Sequence, residues 1–378
     1  MISLGYCEET IAMMELGLCE GIGPVVGKHL IQHFGSAIQV FAANKVDWQG
    51  AAGLNIKLAH QLQLSKDNEC KAARALAERH HALNIRGTSI NHPEYPYRLR
   101  ELAKAPLVLF SVGDIPWNAP RILGVIGTRK PTPQGIAYTK SWIEKLSYYN
   151  IAMVSGLAFG IDVIAHQAAL DAGIPNFAVM AHGLDHIYPT QHRQVAEQMQ
   201  HHGGGLIADF PADTKMHPDY FPKRNRIVAG LCDALLVVES GVKGGSMITA
   251  SIAHGYSREV FAIPGRPADR ASEGCNFLIK NQMAHMAIDI EDIVETMGWT
   301  RNHTNNQNSN QGNQMQLFGN LNPIETQVMQ WLMEGIQKPD EMLQQNQWSA
   351  SHIAMALLDL EIKGLVTAQG GSLYTARC

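Results

Sequence analysis

The chain has no CxxC pair, no excess of positive charge and no long apolar run. Its six cysteines, Cys7, Cys19, Cys70, Cys232, Cys275 and Cys378, are scattered along 378 residues. That scatter fits neither a zinc template nor a compact disulfide framework, so it predicts no metal and a reducing, cytoplasmic setting. Lys and Arg total 30 against 34 Asp and Glu, a formal net charge of −4. Coating duplex DNA through bulk charge is therefore excluded, and any polyanion site has to be local. No uncharged apolar stretch is long enough to span a bilayer. Glu8 and Glu9 interrupt the first apolar residues, and no cationic segment precedes them, so no secretory signal is expected. The chain does have the 46% hydrophobic content of an ordinary globular protein and length for two or three domains.

Residues 1–85 read as short helices. Gly21-Ile22-Gly23-Pro24-Val25-Val26-Gly27 is a Gly-apolar-Gly turn of helix-hairpin-helix type. Such a turn either brings backbone amides up to a DNA phosphate or simply packs two helices, and few cations flank this one. From about residue 105 the pattern changes. Strand-length apolar runs at 107–112, 122–126, 151–154, 177–180, 206–208, 234–238 and 260–263 alternate with helical segments at 136–146, 161–170, 193–200 and 247–254. This alternation predicts a mostly parallel, Rossmann-like α/β sheet over 86–300, with ligands at the carboxyl ends of the strands. Residues 301–322 are rich in Asn, Gln, Gly and Ser and read as a flexible linker. Residues 323–378 read as helix, helix, helix, hairpin, a winged helix. That tail carries six acidic residues against Lys338, Lys363 and Arg377, the wrong sign for phosphate, which favours contact with protein over duplex reading.

The strongest local signal is Phe221-Pro222-Lys223-Arg224-Asn225-Arg226, which runs into the apolar Ile227-Val228-Ala229. Guanidinium forks bind phosphate oxygens in pairs, and an adjacent aromatic, Phe221 or Tyr220, can stack on a base. The competing reading is a solvated basic turn. Four loops at strand exits decide the matter. Gly127-Thr128-Arg129 leaves a strand with a hydroxyl and a guanidinium. Ser155-Gly156-Leu157-Ala158-Phe159-Gly160-Ile161-Asp162 opens a helix, as does Lys243-Gly244-Gly245-Ser246 ahead of Thr249, and Gly183-Leu184-Asp185 forms a fourth loop. Glycines, hydroxyls and helix N-termini at one sheet end make an anion cradle. None is a Walker A or a complete GxGxxG motif, so neither ATP nor a dinucleotide is called for, and no cofactor is expected. Asp162 and His166 share a helix face. With no nucleophile in matching context, they read as structural rather than as a catalytic pair. His182, His186 and His192 fit no metal template.

Together these motifs resemble the DprA/Smf family, the DNA-processing protein A of natural transformation. The resemblance rests on Gly127-Thr128-Arg129, Ser155-Gly156-Leu157-Ala158 with Gly160-Ile161-Asp162 and His166, Gly183-Leu184-Asp185 with Tyr188-Pro189, Phe221-Pro222 with Arg224-Asn225-Arg226, Gly245-Ser246 with Ile248-Thr249-Ala250, and Pro264-Gly265 before Asn276. His192 stands where the family pattern has an asparagine, Gly244 replaces a serine, and Gln282-Met283 replaces Gly-Ala. The resemblance implies an extended Rossmann-like fold, with a helical SAM- or helix-hairpin-helix-like domain before it and a winged helix after it. It also implies a non-enzymatic, homodimeric protein that binds single-stranded DNA, protects incoming strands and loads RecA onto them. The implied DNA contacts are Gly127, Thr128, Arg129, Ser155, Gly156, Phe221, Lys223, Arg224, Asn225, Arg226, Gly245, Ser246 and Thr249.

An enzymatic alternative resembles the lysine-decarboxylase-like phosphoribohydrolases. These share the Gly-Gly-hydroxyl helix start but place a glutamate shortly after it, where this chain has Ile248-Thr249-Ala250-Ser251. Gln314-Met315-Gln316-Leu317-Phe318 also has the spacing of a sliding-clamp-binding peptide, or of a hydrophobic staple onto the tail.

Overall fold

A computed structural model describes residues 6–50, 54–301, 322–333, 338–344, 348–363, 365–369 and 373–376. The chain divides into two compact units, Met1–Thr304 and Asn305–Cys378. Most of the expected linker and the whole Gln314–Phe318 segment lie outside the described residues.

The first unit is built on a nine-stranded sheet: β1 (Arg86–Ser89), β2 (Val108–Gly113), β3 (Ile122–Ile126), β4 (Ala152–Ser155), β5 (Asn176–Val179), β6 (Gly205–Ala208), β7 (Ala234–Val237), β8 (Glu259–Ala262) and β9 (His285–Met286). Their spatial order is β1-β2-β6-β5-β4-β3-β7-β8-β9. β3 through β9 pair in parallel, while β2 runs antiparallel to both β1 and β6. β3 is Ile-Leu-Gly-Val-Ile and wholly buried, the continuous apolar run that a parallel strand covered on both faces requires. β1 (Arg-Gly-Thr-Ser) and the two-residue β9 carry no such signal and are additions to the expected strands.

Period-two alternation sorts β3 between two cores. Ile122 and Ile126 join one layer, and Leu123 and Val125 the other. The second layer is covered by helices Pro133–Leu146, Ile161–Asp171 and Ile290–Thr296 through Trp142, Ile143, Ala165 and Ile293. The first layer runs without a break into the amino-terminal helices, where Ile11, Leu16, Leu30 and Trp48 belong to the same core. His80, on helix Lys71–Ala82, joins the two regions. The Ala212 amide donates to its Nε2 at 2.9 Å, so its Nδ1–H faces the Tyr6 hydroxyl at 2.7 Å.

In the second unit, helices Pro323–Met333, Pro339–Leu343 and Ala350–Ile362 precede a hairpin of β10 (Val366–Gln369) and β11 (Leu373–Ala376). Its own core contains Val328, Trp331, Met342, Leu357 and Leu360. Lys363 closes on the buried Glu325 at 2.7 Å.

A buried ion pair locks the base of the sheet. Arg98 Nε and Nη2 donate to Asp233 at 2.6 and 2.7 Å, and Asp233 also accepts the Ile122 amide at 2.8 Å. Breaking such a pair strands a desolvated charge, so Arg98→Ala should lower unfolding free energy by about 3 kcal/mol in urea titrations. The buried histidines set a pH dependence. Burial lowers His80 and His166 from 6.5 to about 4. A depressed histidine contributes stability above its unfolded value and loses it as pH falls toward the folded one. The urea midpoint should therefore drop between pH 6.5 and 4, and His80→Gln should flatten part of that slope.

Candidate nucleic-acid interface

Strand order reverses between β3 and β7, where crossovers leave in opposite directions and open a crevice at the carboxyl ends. Three loops surround it: 127–132 after β3, 156–160 after β4 and 238–244 after β7. Together with one face of helix Tyr220–Leu231 they line a cleft of about 370 Å³. The loops are bonded to one another. The Thr128 amide donates to the Glu239 carbonyl at 2.7 Å, the Ile161 amide to the Thr128 carbonyl at 3.1 Å, and the Gly274 amide to the Ser240 carbonyl at 2.7 Å. The amide and hydroxyl of Thr132 both donate to the buried Glu239 carboxylate. The cleft is thus braced before any ligand arrives.

The cationic segment is helical rather than a turn, and this redistributes its side chains. Phe221, Arg224, Asn225 and Val228 fall at i, i+3, i+4 and i+7 and all line the cleft. Residues two apart on a helix are turned by about 200°. Arg226 therefore points away from the cleft, into an ion pair with Asp209. Lys223 is exposed and sits 5.3 Å from the Tyr220 ring, which itself stacks on Phe210 at 4.5 Å. Lys223, Arg226 and Tyr220 are thus absent from the wall that the sequence pattern assigned to them.

Arg224 is 6% exposed. Its Nη1 donates to the Gly156 carbonyl at 2.6 Å and the Val179 carbonyl at 2.5 Å, while Nε donates to Asn225 Oδ1 at 3.1 Å. Among the described residues no acceptor meets Nη2. Glycine at position 156 leaves room for this guanidinium, which a Cβ there would meet head-on. Asp162, buried and lining the same cleft, supplies the countercharge. Burial pushes its carboxyl up, opposed first by Arg224 and then by the Ala158 and Gly156 amides. Burial likewise lowers Arg224, and Asp162 opposes that shift.

Among the described residues that line the cleft, Arg129 is the exposed cation. No carboxylate among the described residues pairs with it, and its guanidinium lies 5.6 Å from the Phe221 ring centroid. Phe221 therefore faces a cation across the cleft rather than standing free for a base. Helix Gly245–Gly255 starts at Gly244 without a side-chain cap, so its first amides open on the cleft beside Ser246 and Thr249.

Gly127, Thr128, Gly156, Gly245, Ser246 and Thr249 therefore converge as expected, with Arg129, Phe221, Arg224 and Asn225. Ser155 does not, since it is fully buried and donates to the Val125 carbonyl at 2.6 Å. The Gly183 loop also lies elsewhere, bonded to the 211–214 segment through Gly183 to Thr214 and Asp213 to Asp185. Gly274 bonds the Ser240 carbonyl and Asn276 bonds Gly265, and neither lines the cleft. Ser240, Gly241 and Ile248 also line the cleft, although none was among the expected DNA contacts. His166 bonds Asn176 at 2.9 Å and His192 bonds the Leu157 carbonyl at 2.8 Å, both structural roles. Among the described residues no three potential metal ligands cluster.

The two arginines should separate cleanly by thermal unfolding. Arg224→Ala leaves Asp162 and two carbonyls without their partner and should cost about 3 kcal/mol. Arg129→Ala removes an exposed side chain and should stay within about 0.5 kcal/mol of the parent.

The family profile described as DNA recombination-mediator protein A matches residues 86–298, and that of the DprA winged helix domain matches 319–372. Protein Smf of Synechocystis is 33% identical over 283 residues, covering 74% of this chain and 70% of that protein. DNA processing protein DprA of Bacillus subtilis is 37% identical over 209 residues, 55% of this chain and 70% of the relative. Protein Smf of Escherichia coli is 37% identical, the match covering 54% of each protein. Among solved structures, DNA processing protein A of Streptococcus pneumoniae superposes with a TM-score of 0.63 at 27% identity, covering 76% of this chain and 97% of that one. The Helicobacter pylori protein, described for its single-stranded DNA binding mode, superposes with a TM-score of 0.52 at 27% identity, over 57% and 97%.

Proposed function

The chain belongs to the DNA recombination-mediator protein A family, and on that premise we propose that its switch-point cleft binds single-stranded DNA. The observation that carries this reading is the exposed, carboxylate-free Arg129 beside the uncapped start of helix Gly245–Gly255 and the inward-facing Arg224. A guanidinium and helix-terminal amides hold a backbone phosphate, and the Thr128 hydroxyl, which accepts the Lys130 amide, is free to donate to it. Such contacts are to the backbone, so binding is tolerant of base sequence. The Arg129–Phe221 pair supplies a guanidinium plane and a ring against which a base can lie once they part.

The same proposal includes the family's wider role: a homodimer that protects a strand and delivers RecA to it, in the cytoplasm. For the dimer the supporting feature is β9, the sheet's last strand, with Met286 and the neighbouring Ile288 exposed. For the tail, Met355 and Leu358 are exposed on helix Ala350–Ile362, apolar where a phosphate-reading helix needs cations; this supports a protein contact. Among the described residues no helix is long and apolar enough to cross a membrane.

Binding without turnover is the reading we favour over a phosphoribohydrolase. The two carboxylates nearest the cleft, Asp162 and Glu239, are both held by backbone amides, and Glu239 also by a hydroxyl. Incubation with nucleoside monophosphates should release no free base; measured release would restore the enzymatic reading. For DNA, anisotropy with labelled oligo(dT) should show Arg129→Ala weakening affinity about tenfold, the loss of one charge-assisted contact. It should also reduce the slope of log K against log salt by about 0.7, one phosphate contact on a single strand. An unchanged slope and affinity would count against the cleft.

A further inference from the structure

Helix Tyr220–Leu231 has a second working face. Opposite the cleft, Pro222, Lys223 and Arg226 border a larger groove of about 780 Å³ whose far wall comes from the amino-terminal helices. The floor is aliphatic: Met13, Met14, Ile22, Leu107 and Val108. Leu18 and Val25, at the two ends of the Gly21–Gly23 turn, are 41% and 51% exposed along it. The glycine turn thus faces this groove and contributes apolar flanks to it. It is not among the residues lining the switch-point cleft.

Three features define what fits there. The walls suit branched aliphatic or ring side chains, and such a contiguous exposed apolar surface marks a contact site. At the rim, Lys104 and Lys223 are exposed and no carboxylate among the described residues pairs with either, whereas Arg226 is already neutralised by Asp209. Inside, Asp209 Oδ1 is buried without a donor. A ligand complementary to all three carries apolar side chains, negative charge and an N–H donor. A nucleic acid strand supplies charge and donors, but most of the lining is apolar, with Phe110, Phe210 and Tyr256 beside the aliphatic residues, and Lys104 and Lys223 are the unpaired cations among the described lining residues, too few to track a phosphate backbone.

We propose that this groove is a docking site for an acidic peptide segment of a partner protein: its apolar side chains fill the aliphatic floor, its carboxylates meet Lys104 and Lys223, and a backbone N–H satisfies Asp209. The site is separate from the DNA cleft and shares with it only Pro222. A protein held there would sit directly behind the helix that shapes the strand-binding wall.

The test uses the full chain and a fluorescein-labelled hexapeptide of three glutamates followed by two leucines and a phenylalanine, with a second version carrying lysines for glutamates. Saturable anisotropy is expected for the acidic peptide, with at least tenfold weaker binding of the lysine version. Val25→Glu and Lys104→Glu should each weaken the acidic peptide at least tenfold while leaving oligo(dT) affinity unchanged. The proposal fails if the acidic peptide does not saturate, if both peptides bind alike, or if neither substitution affects it. Unlabelled oligo(dT) displacing the peptide, together with loss of oligo(dT) affinity in Lys104→Glu, would make the groove part of the strand's path and overturn it too. Since the oligo(dT) measurement is made separately, failure of peptide binding leaves the cleft reading standing.

Discussion

The buried guanidinium of Arg224 organises the site. It bridges the carbonyl that follows β4 and the carbonyl that ends β5, and it faces Asp162 at the start of helix Ile161–Asp171. A charge at that depth survives only because each neighbour answers it: two carbonyls, one carboxylate and a position without a side chain at Gly156. The consequence is geometric. With Arg224 fixed, helix Tyr220–Leu231 cannot rotate, and its Phe221 is held opposite Arg129. The most conspicuous cation of the sequence is thus chiefly a positioning group, and among the described residues lining the cleft Arg129 is the exposed, unpaired cation.

Much of this was legible from the residues. The apolar runs marked β2 through β8 to within a residue or so at each end, because strands buried on both faces have no polar alternation to blur them. The loops after β3, β4 and β7 were visible as glycines and hydroxyls at strand exits. What remained hidden was the helical state of residues 220–231. The cations read as the lead-in to an apolar element, with a solvated turn as the alternative, whereas Pro222 stands in the first turn of the helix, where a missing amide hydrogen is tolerated. Without that helix the opposing directions of Arg224 and Arg226 could not be seen. Ser155 was misplaced for a related reason: it closes β4, and strand alternation turns it inward to the Val125 carbonyl. The Gly183 loop follows β5, away from the reversal point, so its similar composition serves a different contact.

The two faces of one helix give the first unit a division of labour. One face, set by Arg224, shapes a braced polar cleft at the reversal of strand order. The other, with Arg226 bound to Asp209, borders an apolar groove against the amino-terminal helices. Both faces rest on a single continuous core that includes Ile227 and Val228.

Photocrosslinking with 4-thiothymidine placed along oligo(dT), followed by mass spectrometric mapping, tests the central claim most directly. The cleft account predicts crosslinked peptides from residues 127–130, 221–225 and 244–249, lost at high salt together with binding. Crosslinks confined to the groove around Lys104 and Val25, or to the second unit, would contradict it.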